Sequence, residues 1–171
     1  FWAEIAVNIA ASQGLRLGGI MHPGSYSLLG VGVSFALSAK NTNPKKTIVL
    51  ISGDGAFLSG GLSIETAFQE NLPIVVVIDN NGGLDCISQQ QERLFSDGSH
   101  FATDFRDIPF HTLFEGMGGY GELVTHKSEI AAAVKRAIAI GKPACINVKA
   151  RGVISPIVAA TSDKRDKASI E

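Results

Sequence analysis

Two apolar, β-branched runs that each end in a polar, glycine-containing loop most constrain how this chain folds. The run at 46–52 is followed by Gly53-Asp54-Gly55, and the run at 73–79 is followed by Asn80-Asn81-Gly82-Gly83. Near-continuous apolar runs are typical of strands that helices cover on both faces. Residues 60–71 between them place apolar side chains at helical spacing. The pattern therefore predicts two parallel strands whose loops open at the same edge of one sheet.

The rest of the chain continues this alternation of strands and helices. Further strands are predicted at 120–124 and 143–149, and further helices at about 28–40, 109–116 and 127–140. Gly141 directly follows the last helical stripe, which is the expected position for a helix stop. Strands alternating with helices predict an α/β, doubly wound, mostly parallel sheet with helices on both faces.

Composition limits the class of protein and its partners. The chain has 171 residues, 45% of them hydrophobic, which suits one domain with a substantial core. Its formal net charge is −1, which gives no reason to expect nucleic acid or an anionic membrane as a partner. No apolar stretch reaches the ~18 to 20 residues that a membrane span needs. Cys86 and Cys145 form no C-x-x-C motif, which favours reduced thiols in a cytoplasmic protein.

Three segments depart from the alternating pattern. Residues 82–107 are predicted to form a long loop, and loops of that length are often lids or binding loops. The charged end of the chain predicts a division into one domain over 1–150 and an exposed tail over 151–171. The sequence begins Phe1-Trp2, without Met, inside a helical pattern, so we expect a fragment truncated at its N-terminus.

The two loops carry residues suited to a hard divalent cation and a phosphate. Glycines beside Asp54 allow the backbone to approach a phosphate closely. Amides in Asn80-Asn81 and backbone carbonyls freed by the following glycines are neutral oxygen donors. Mg²⁺ usually combines a few such protein oxygens with ligand phosphates. Gly-Asp-Gly and Asn-Gly are also ordinary turn sequences, but their shared position after two predicted strands favours a site.

The span from Gly53 to Asn81 resembles the motif of thiamine-diphosphate enzymes that begins Gly-Asp-Gly and ends Asn-Asn. It is similar to the motif in 2-oxo acid decarboxylases, acetolactate synthases, oxalyl-CoA decarboxylase and 2-hydroxyacyl-CoA lyase. The resemblance extends to the helix that begins at Gly30 and to the strand that follows Gly141, and it covers most of residues 1–150. The chain looks most like the C-terminal, diphosphate-binding domain of acetolactate-synthase-like proteins.

The resemblance implies a role for eight residues. Asp54 and Asn81 would bind Mg²⁺ through their side chains, and Gly83 would bind it through its carbonyl oxygen. Gly55 and Ala56 would donate backbone N–H groups to the diphosphate. Leu29 would be the bulky side chain that holds the cofactor in its bent conformation. Backbone groups of Ser27 and Leu28 would lie against the aminopyrimidine.

The resemblance also implies that this chain holds only part of an active site. In the family, a glutamate on a separate pyrimidine-binding domain activates the cofactor, and no segment here is similar to that domain. We therefore expect no catalytic residue in this chain, an inactive isolated chain, and a partner domain on the same or another chain. A homodimer or tetramer acting on a small 2-oxo acid or related acyl donor is the assembly that the family implies.

Two alternative functions stay open from the sequence. One is a non-catalytic binding or interaction domain of the same fold. A nucleotide-binding Rossmann domain is the other alternative, although Gly30-Val31-Gly32 does not complete G-x-G-x-x-G and follows no clear strand.

Overall fold

The structure is a computed structural model that describes residues 19–154. Its strands are β1 (Ile48–Gly53), β2 (Ile74–Asn80), β3 (Tyr120–Val124) and β4 (Ala144–Lys149), and they form one sheet in the order β1-β2-β4-β3. All three strand pairs are parallel. Each predicted strand is present within two residues of its expected bounds, and the predicted parallel α/β sheet is confirmed.

Helical segments connect these strands. The α-helices are α1 (Gly32–Thr42), α2 (Asp54–Gly60), α3 (Glu65–Gln69), α4 (Asp85–Leu94), α5 (Phe110–Gly116) and α6 (Ile130–Ile140). Short 3-10 turns lie at Gly24–Tyr26, Gly61–Ile64 and Lys127–Glu129. Gly141 ends α6 in the left-handed conformation with φ of 66°, which confirms the predicted helix stop.

Helix α6 covers one face of the sheet. Side chains in one register row, which includes Val75 and Ala144, point to this face because successive residues of a strand alternate between faces. They pack with Ala133 and Ala137 of α6, and all four residues are buried. Arg136 of α6 also donates a hydrogen bond from Nε to the Glu122 carboxylate on β3, at 3.2 Å.

Helices α1 and α5 cover the opposite face. The next register row contains Leu50 and Gly121. Leu50 contacts the backbone of α1 at Gly32, and Gly121 lies directly under the backbone of α5. Four aromatic rings form the rest of this layer in edge-to-face or tilted pairs: Phe57, Phe68, Phe110 and Phe114. Helices thus lie on both faces of the sheet, as predicted.

Within residues 19–154, the helices do not cover both faces of β1, which differs from the sequence prediction. Strand β2 is mostly buried, but β1 lies at the edge of the described sheet, where Val49 and Ile51 are exposed. These two side chains point to the face that α6 covers, and α6 contacts β2, β3 and β4. Apolar β-branched residues alone did not distinguish an edge strand from a central one.

Three helix predictions also need correction. The helix expected from about residue 28 begins at Gly32, because Gly30 has φ of +88°, which no α-helix accommodates. The single helix expected at 60–71 is a run of three helical segments from Asp54 to Gln69. The loop expected at 82–107 contains the ten-residue helix α4.

The chain divides into two compact units. The first comprises the sheet and the helices that cover it, with described residues 19–80 and 109–150. The second comprises described residues 81–108 and 151–154 and contains α4. The expected domain of 1–150 and tail of 151–171 stay a prediction.

Inside the second unit, the segment after α4 folds back against the start of the unit. The amide of Leu84 donates to the Thr103 carbonyl at 2.8 Å, and the amide of Phe105 donates to the Gly82 carbonyl at 2.7 Å. His100 lies 2.9 Å from a carboxylate oxygen of Glu92 and 3.1 Å from one of Asp104. These contacts order a segment that the sequence alone indicated only as a loop.

The helix predicted around Phe1-Trp2 and the tail after residue 154 lie outside the described residues. No helix within residues 19–154 combines the length and apolar character that a membrane crossing requires. Both cysteines in this part of the chain are free thiols. Burial raises the pKa of Cys145 to about 12, so this thiol stays protonated at neutral pH.

Candidate functional site

The carboxyl ends of β1 and β2 lie side by side. Gly53, the last residue of β1, pairs in register with Asp79 of β2. Asp54 therefore follows directly at one strand end, and Asn80 ends the neighbouring strand. Parallel α/β sheets bind ligands at this edge. This arrangement confirms the prediction that the two loops begin at one edge of the sheet.

Asp54 is a buried carboxylate at the first residue of α2. It is only 4% exposed, and its Oδ1 accepts a hydrogen bond of 2.7 Å from the Gly55 amide. Burial of a carboxylate is costly unless hydrogen-bond donors or cations surround it. The helix N-terminus supplies part of that compensation, because its N–H groups and dipole favour negative charge.

The first of the two asparagines is engaged within the sheet. Asn80 is 3% exposed, and its Nδ2 donates a 3.0 Å hydrogen bond to Oδ1 of Asn147 on β4. Its main-chain carbonyl accepts a 3.0 Å hydrogen bond from the Ala150 amide. Asn80 is therefore fixed to β4 by its side chain and to the residue directly after β4 by its backbone.

The second asparagine begins the second unit. Asn81 is partly exposed, and its Oδ1 accepts a 3.3 Å hydrogen bond from the Gly83 amide. Gly82 has φ of +82°, a conformation in which glycine carries no steric cost. Gly83 lies so close to the chain that an added Cβ would be 2.6 Å from the Thr103 carbonyl oxygen. A side chain at position 83 would force this loop open.

Ser27, Leu28 and Leu29 lie in a turn before α1 rather than in the helix. Ser27 has φ of 47°, and its amide donates to the Gly24 carbonyl at 3.1 Å. Leu28 is 61% exposed and Leu29 is 49% exposed, so two adjacent leucines present apolar surface. Apolar area of this kind suits contact with a ligand or another protein domain.

Helix α2 connects this turn to the buried carboxylate. Its first turn contains Asp54, Gly55 and Ala56, and its last residue, Gly60, touches the backbone of Gly30. A Cβ added at Gly60 would lie 2.3 Å from the Gly30 carbonyl oxygen. The structure thus brings the predicted residues of the first unit to the two ends of one helix, while Asn81 and Gly83 lie in the second unit.

Sequence reasoning missed two polar residues beside this site. Asn147 on β4 is fully buried, and its Nδ2 lies 3.2 Å from Nδ1 of His111 in the first turn of α5. An asparagine within the apolar run Ala144-Cys145-Ile146-Asn147-Val148 was the available signal, because a buried amide needs specific partners.

The donor chemistry fits one type of metal site and excludes another. Within residues 19–154, no group of three or more His, Cys, Asp or Glu side chains could hold a metal ion. A cation here would need amide, backbone and ligand oxygens in addition to one carboxylate. Such a set suits Mg²⁺ held partly by phosphates, and it does not suit a protein-only zinc site.

Comparison with known proteins decides the family. The protein-family model described as "Thiamine pyrophosphate enzyme, C-terminal TPP binding domain" matches residues 7–148. The chain belongs to this family. It is a thiamine-diphosphate-binding domain of the kind found in acetolactate-synthase-like enzymes, and the predicted resemblance is confirmed.

Individual relatives agree with the family. The chain is 36% identical over 126 residues to a probable acetolactate synthase from Mycobacterium bovis, covering 73% of this chain and 23% of that protein. It is 30% identical over 146 residues to a 2-hydroxyacyl-CoA lyase from Arabidopsis thaliana, covering 82% and 25%. The chain thus spans about a quarter of the length of these relatives.

A solved structure confirms the fold. The thiamine diphosphate-dependent 4-hydroxybenzoylformate decarboxylase from Rhodococcus jostii RHA1 superposes with a TM-score of 0.66 at 28% identity. The match covers 74% of this thiamine-diphosphate-binding domain and 24% of that chain. The doubly wound α/β sheet is therefore the thiamine-diphosphate-binding fold. This result disfavours the Rossmann alternative, as does the lack of any strand in the described segment before Gly30-Val31-Gly32.

Proposed function

We propose that this domain binds thiamine diphosphate together with Mg²⁺ and forms the diphosphate-binding part of a larger enzyme. That enzyme cleaves or forms a C–C bond next to the carbonyl of a 2-oxo acid or related acyl donor. The observation that carries the proposal is the buried carboxylate of Asp54 at the edge where β1 and β2 end together. A carboxylate kept out of water at a ligand-binding edge suits a cation.

In this proposal, Mg²⁺ is held by the Asp54 carboxylate, the Asn81 side-chain oxygen and the Gly83 carbonyl. The engagement of Asn80 with Asn147 supports Asn81 as the amide ligand. The ion would neutralise the diphosphate and fix its orientation, which is the usual role of Mg²⁺ beside phosphates. The amides of Gly55 and Ala56 in the first turn of α2 would donate to diphosphate oxygens.

The amide of Gly55 has a competing partner. It donates to the carboxylate of Asp54 at 2.7 Å, so a diphosphate oxygen would replace that contact when the carboxylate turns to the cation. The Asp54 carboxylate would thus exchange the Gly55 amide for Mg²⁺. The Gly55 amide would exchange the Asp54 carboxylate for a phosphate oxygen. Both hydrogen bonds of the Gly55 amide are charge-assisted, so the attraction between Mg²⁺ and the Asp54 carboxylate is what would favour this exchange.

The exposed leucines would supply the apolar contacts to the cofactor. Leu29 would support the bent cofactor, and backbone groups of Ser27 and Leu28 would contact the aminopyrimidine. The solvent exposure of both leucines is the supporting observation. When bound, thiamine diphosphate supplies a nucleophilic carbanion and an electron sink, while the protein supplies orientation and the metal clamp.

The remaining parts of the enzyme belong to other domains in this proposal. A glutamate that activates the cofactor would come from a pyrimidine-binding domain on the same or a partner chain, within a homodimer or tetramer. The isolated chain would therefore bind cofactor without turning over a substrate. The two free cysteines of the described region support a cytoplasmic location.

Calorimetric titration of thiamine diphosphate with and without Mg²⁺ tests this function. We expect Mg²⁺ to tighten the binding of thiamine diphosphate. In Asp54→Asn, the Mg²⁺-dependent increase in affinity should be at least about tenfold smaller, which corresponds to about 1.4 kcal/mol. Glu70→Gln is the matched control, because it also removes one carboxylate charge but at an exposed position in the first unit. Equal Mg²⁺ dependence in wild type and Asp54→Asn would refute the metal site.

A second measurement works even where half of the pocket is absent and binding is weak. Mn²⁺ takes oxygen ligands as Mg²⁺ does, and its paramagnetism broadens nearby NMR signals. With thiamine diphosphate present, we expect selective broadening of the Gly55, Asn81 and Gly83 amide signals. Broadening that is spread over surface carboxylates instead would contradict the proposal. Magnesium-dependent binding without activity, after addition of a competent pyrimidine domain, would favour the non-catalytic alternative.

A further inference from the structure

Three polar side chains form a continuous chain in the interior of the first unit. Asn80 at the end of β2 contacts Asn147 on β4 at 3.0 Å, and Asn147 contacts His111 of α5 at 3.2 Å. Asn80 is 3% exposed and Asn147 is 0% exposed. The chain thus joins two neighbouring strands and the helix that covers them.

Asn147 is an unusual residue for its position. Its neighbours Ile146 and Val148 are apolar, and its own face of β4 also carries the fully buried Cys145. An amide at such a position costs roughly 1–3 kcal/mol unless hydrogen bonds compensate. An apolar side chain of similar size would avoid that cost, so packing alone does not account for an asparagine here.

The residue that Asn147 fixes is directly adjacent to the proposed metal ligand. The side chain of Asn80 contacts Asn147 on β4, and its carbonyl accepts from the amide of Ala150, the residue directly after β4. These two contacts restrict the backbone at the point where the chain leaves β2 and enters Asn81. Functional groups of a binding site need to be held within about 0.5 Å by such supporting contacts.

We propose that Asn147 is a positioning residue for the loop that follows β2 and carries the proposed metal ligands Asn81 and Gly83. It acts through Asn80 to set the placement of Asn81. This inference rests on the proposed function, in which Asn81 binds Mg²⁺. Asn147 touches neither cofactor nor metal in this role. It restricts the motion of Asn81 before the cation arrives, which lowers the entropy cost of binding.

Substitution at position 147 separates positioning from stability. Asn147→Leu keeps a similar volume and removes the side-chain contacts to Asn80 and His111. Cys145→Ala is the matched control, because it opens a cavity on the same face of the same strand without changing the contact to Asn80.

The first readout is the ratio of thiamine diphosphate dissociation constants without and with Mg²⁺. Substitution of a residue that supports a metal ligand typically lowers metal affinity by about 10- to 100-fold. Because Asn147 is one residue further from the ligand, we expect its substitution to change this ratio by about 3- to 10-fold. Asn147→Leu should lower the ratio by this factor, while Cys145→Ala should keep it. An equal decrease in Cys145→Ala, at matched loss of melting temperature, would assign the effect to general destabilisation and overturn the inference.

The second readout needs no ligand and therefore separates this inference from the proposed function. Backbone NMR order parameters lie near about 0.85 for rigid residues and fall below about 0.6 for flexible ones. We expect Asn147→Leu to lower the order parameter of Asn81 while that of Ile78 stays high. An unchanged Asn81 would overturn the positioning role, whatever the metal data show. Loosening of Asn81 in a protein whose wild type shows no Mg²⁺-dependent binding would refute only the proposed function.

Discussion

Substitution of Gly60 by alanine tests the contact between α2 and the turn at residues 27–30, which carries Leu28 and Leu29. A Cβ at position 60 would lie 2.3 Å from the carbonyl oxygen of Gly30 and 3.0 Å from its carbonyl carbon. Both atoms belong to the backbone, so no side-chain rotation relieves the clash. Gly30 is itself constrained by φ of +88° and by close contact with Ser59.

The expected destabilisation follows from these distances. Comfortable C···O contacts lie near about 3.3 Å, so the two segments would have to separate by about 1 Å. Overpacking of this kind costs about 1–3 kcal/mol. Alanine gains no helix propensity that could offset this cost, because Gly60 has φ of −157° and ψ of 6°, outside the helical region. We therefore expect Gly60→Ala to lower the free energy of unfolding by about 1–3 kcal/mol, or the melting temperature by about 2–12 °C.

Chemical and thermal unfolding, followed by circular dichroism, would measure this change. Gly116→Ala is the matched control, because Gly116 also ends a helix but an added Cβ there meets no atom within 4 Å. That variant should be as stable as wild type or slightly more stable. Equal stability of the Gly60 and Gly116 variants would show that the turn before α1 is not held against α2 as closely as the distances indicate.

Three further predictions concern titratable side chains. Because burial raises the pKa of Cys145 to about 12, this thiol should resist alkylation at neutral pH and react only after addition of denaturant, as a thiol count will show. The hydrogen bond from Arg136 lowers the pKa of Glu122, so wild type should exceed Glu122→Gln in melting temperature near about pH 6 and lose that advantage as the pH falls through the lowered folded pKa; an advantage retained at about pH 2 would contradict this. The hydrogen bond to Asp104 raises the pKa of His100, so protection factors against hydrogen exchange within 100–105, which are corrected for the intrinsic pH dependence of exchange, should be highest below the ordinary histidine pKa and fall as the pH rises through the raised value, with no such fall in His100→Gln.

The sequence predicted the strands and helices that have a clear pattern of apolar residues. Strands β1 and β2 were evident from their β-branched runs, and the helical stripe at 130–140 gave α6 together with its stop at Gly141. Helix α4 was missed because its polar sequence Asp85-Cys86-Ile87-Ser88-Gln89-Gln90-Gln91-Glu92-Arg93-Leu94 has no broad apolar stripe. An acidic first turn and a basic last turn, which complement the helix dipole, were the signals that could have identified it.

Burial of each face could not be predicted in the same way. The apolar runs of β1 and β2 are similar in composition, but only β2 has strands on both sides. Position within a sheet depends on contacts between residues that are distant in sequence, such as the pairing of β2 with β4. The local sequence pattern does not indicate the order of strands in the sheet, so the exposure of Val49 and Ile51 was seen only in the structure.

The two adjacent asparagines show how the register of a strand decides chemistry. They are identical in type, and the resemblance to known enzymes, rather than residue chemistry, distinguished Asn81 as the proposed ligand. The structure supplies a physical reason for that choice, since Asn80 shares the face of Ile78 and directs its amide to Asn147. Side chains alternate with a period of two, so a one-residue slip of β2 would exchange the positions of the two asparagines. In the proposed site, the pairing of β2 with β4 would therefore determine which of the two amides is available to a cation, and the contact from Asn147 would hold the other one in the sheet.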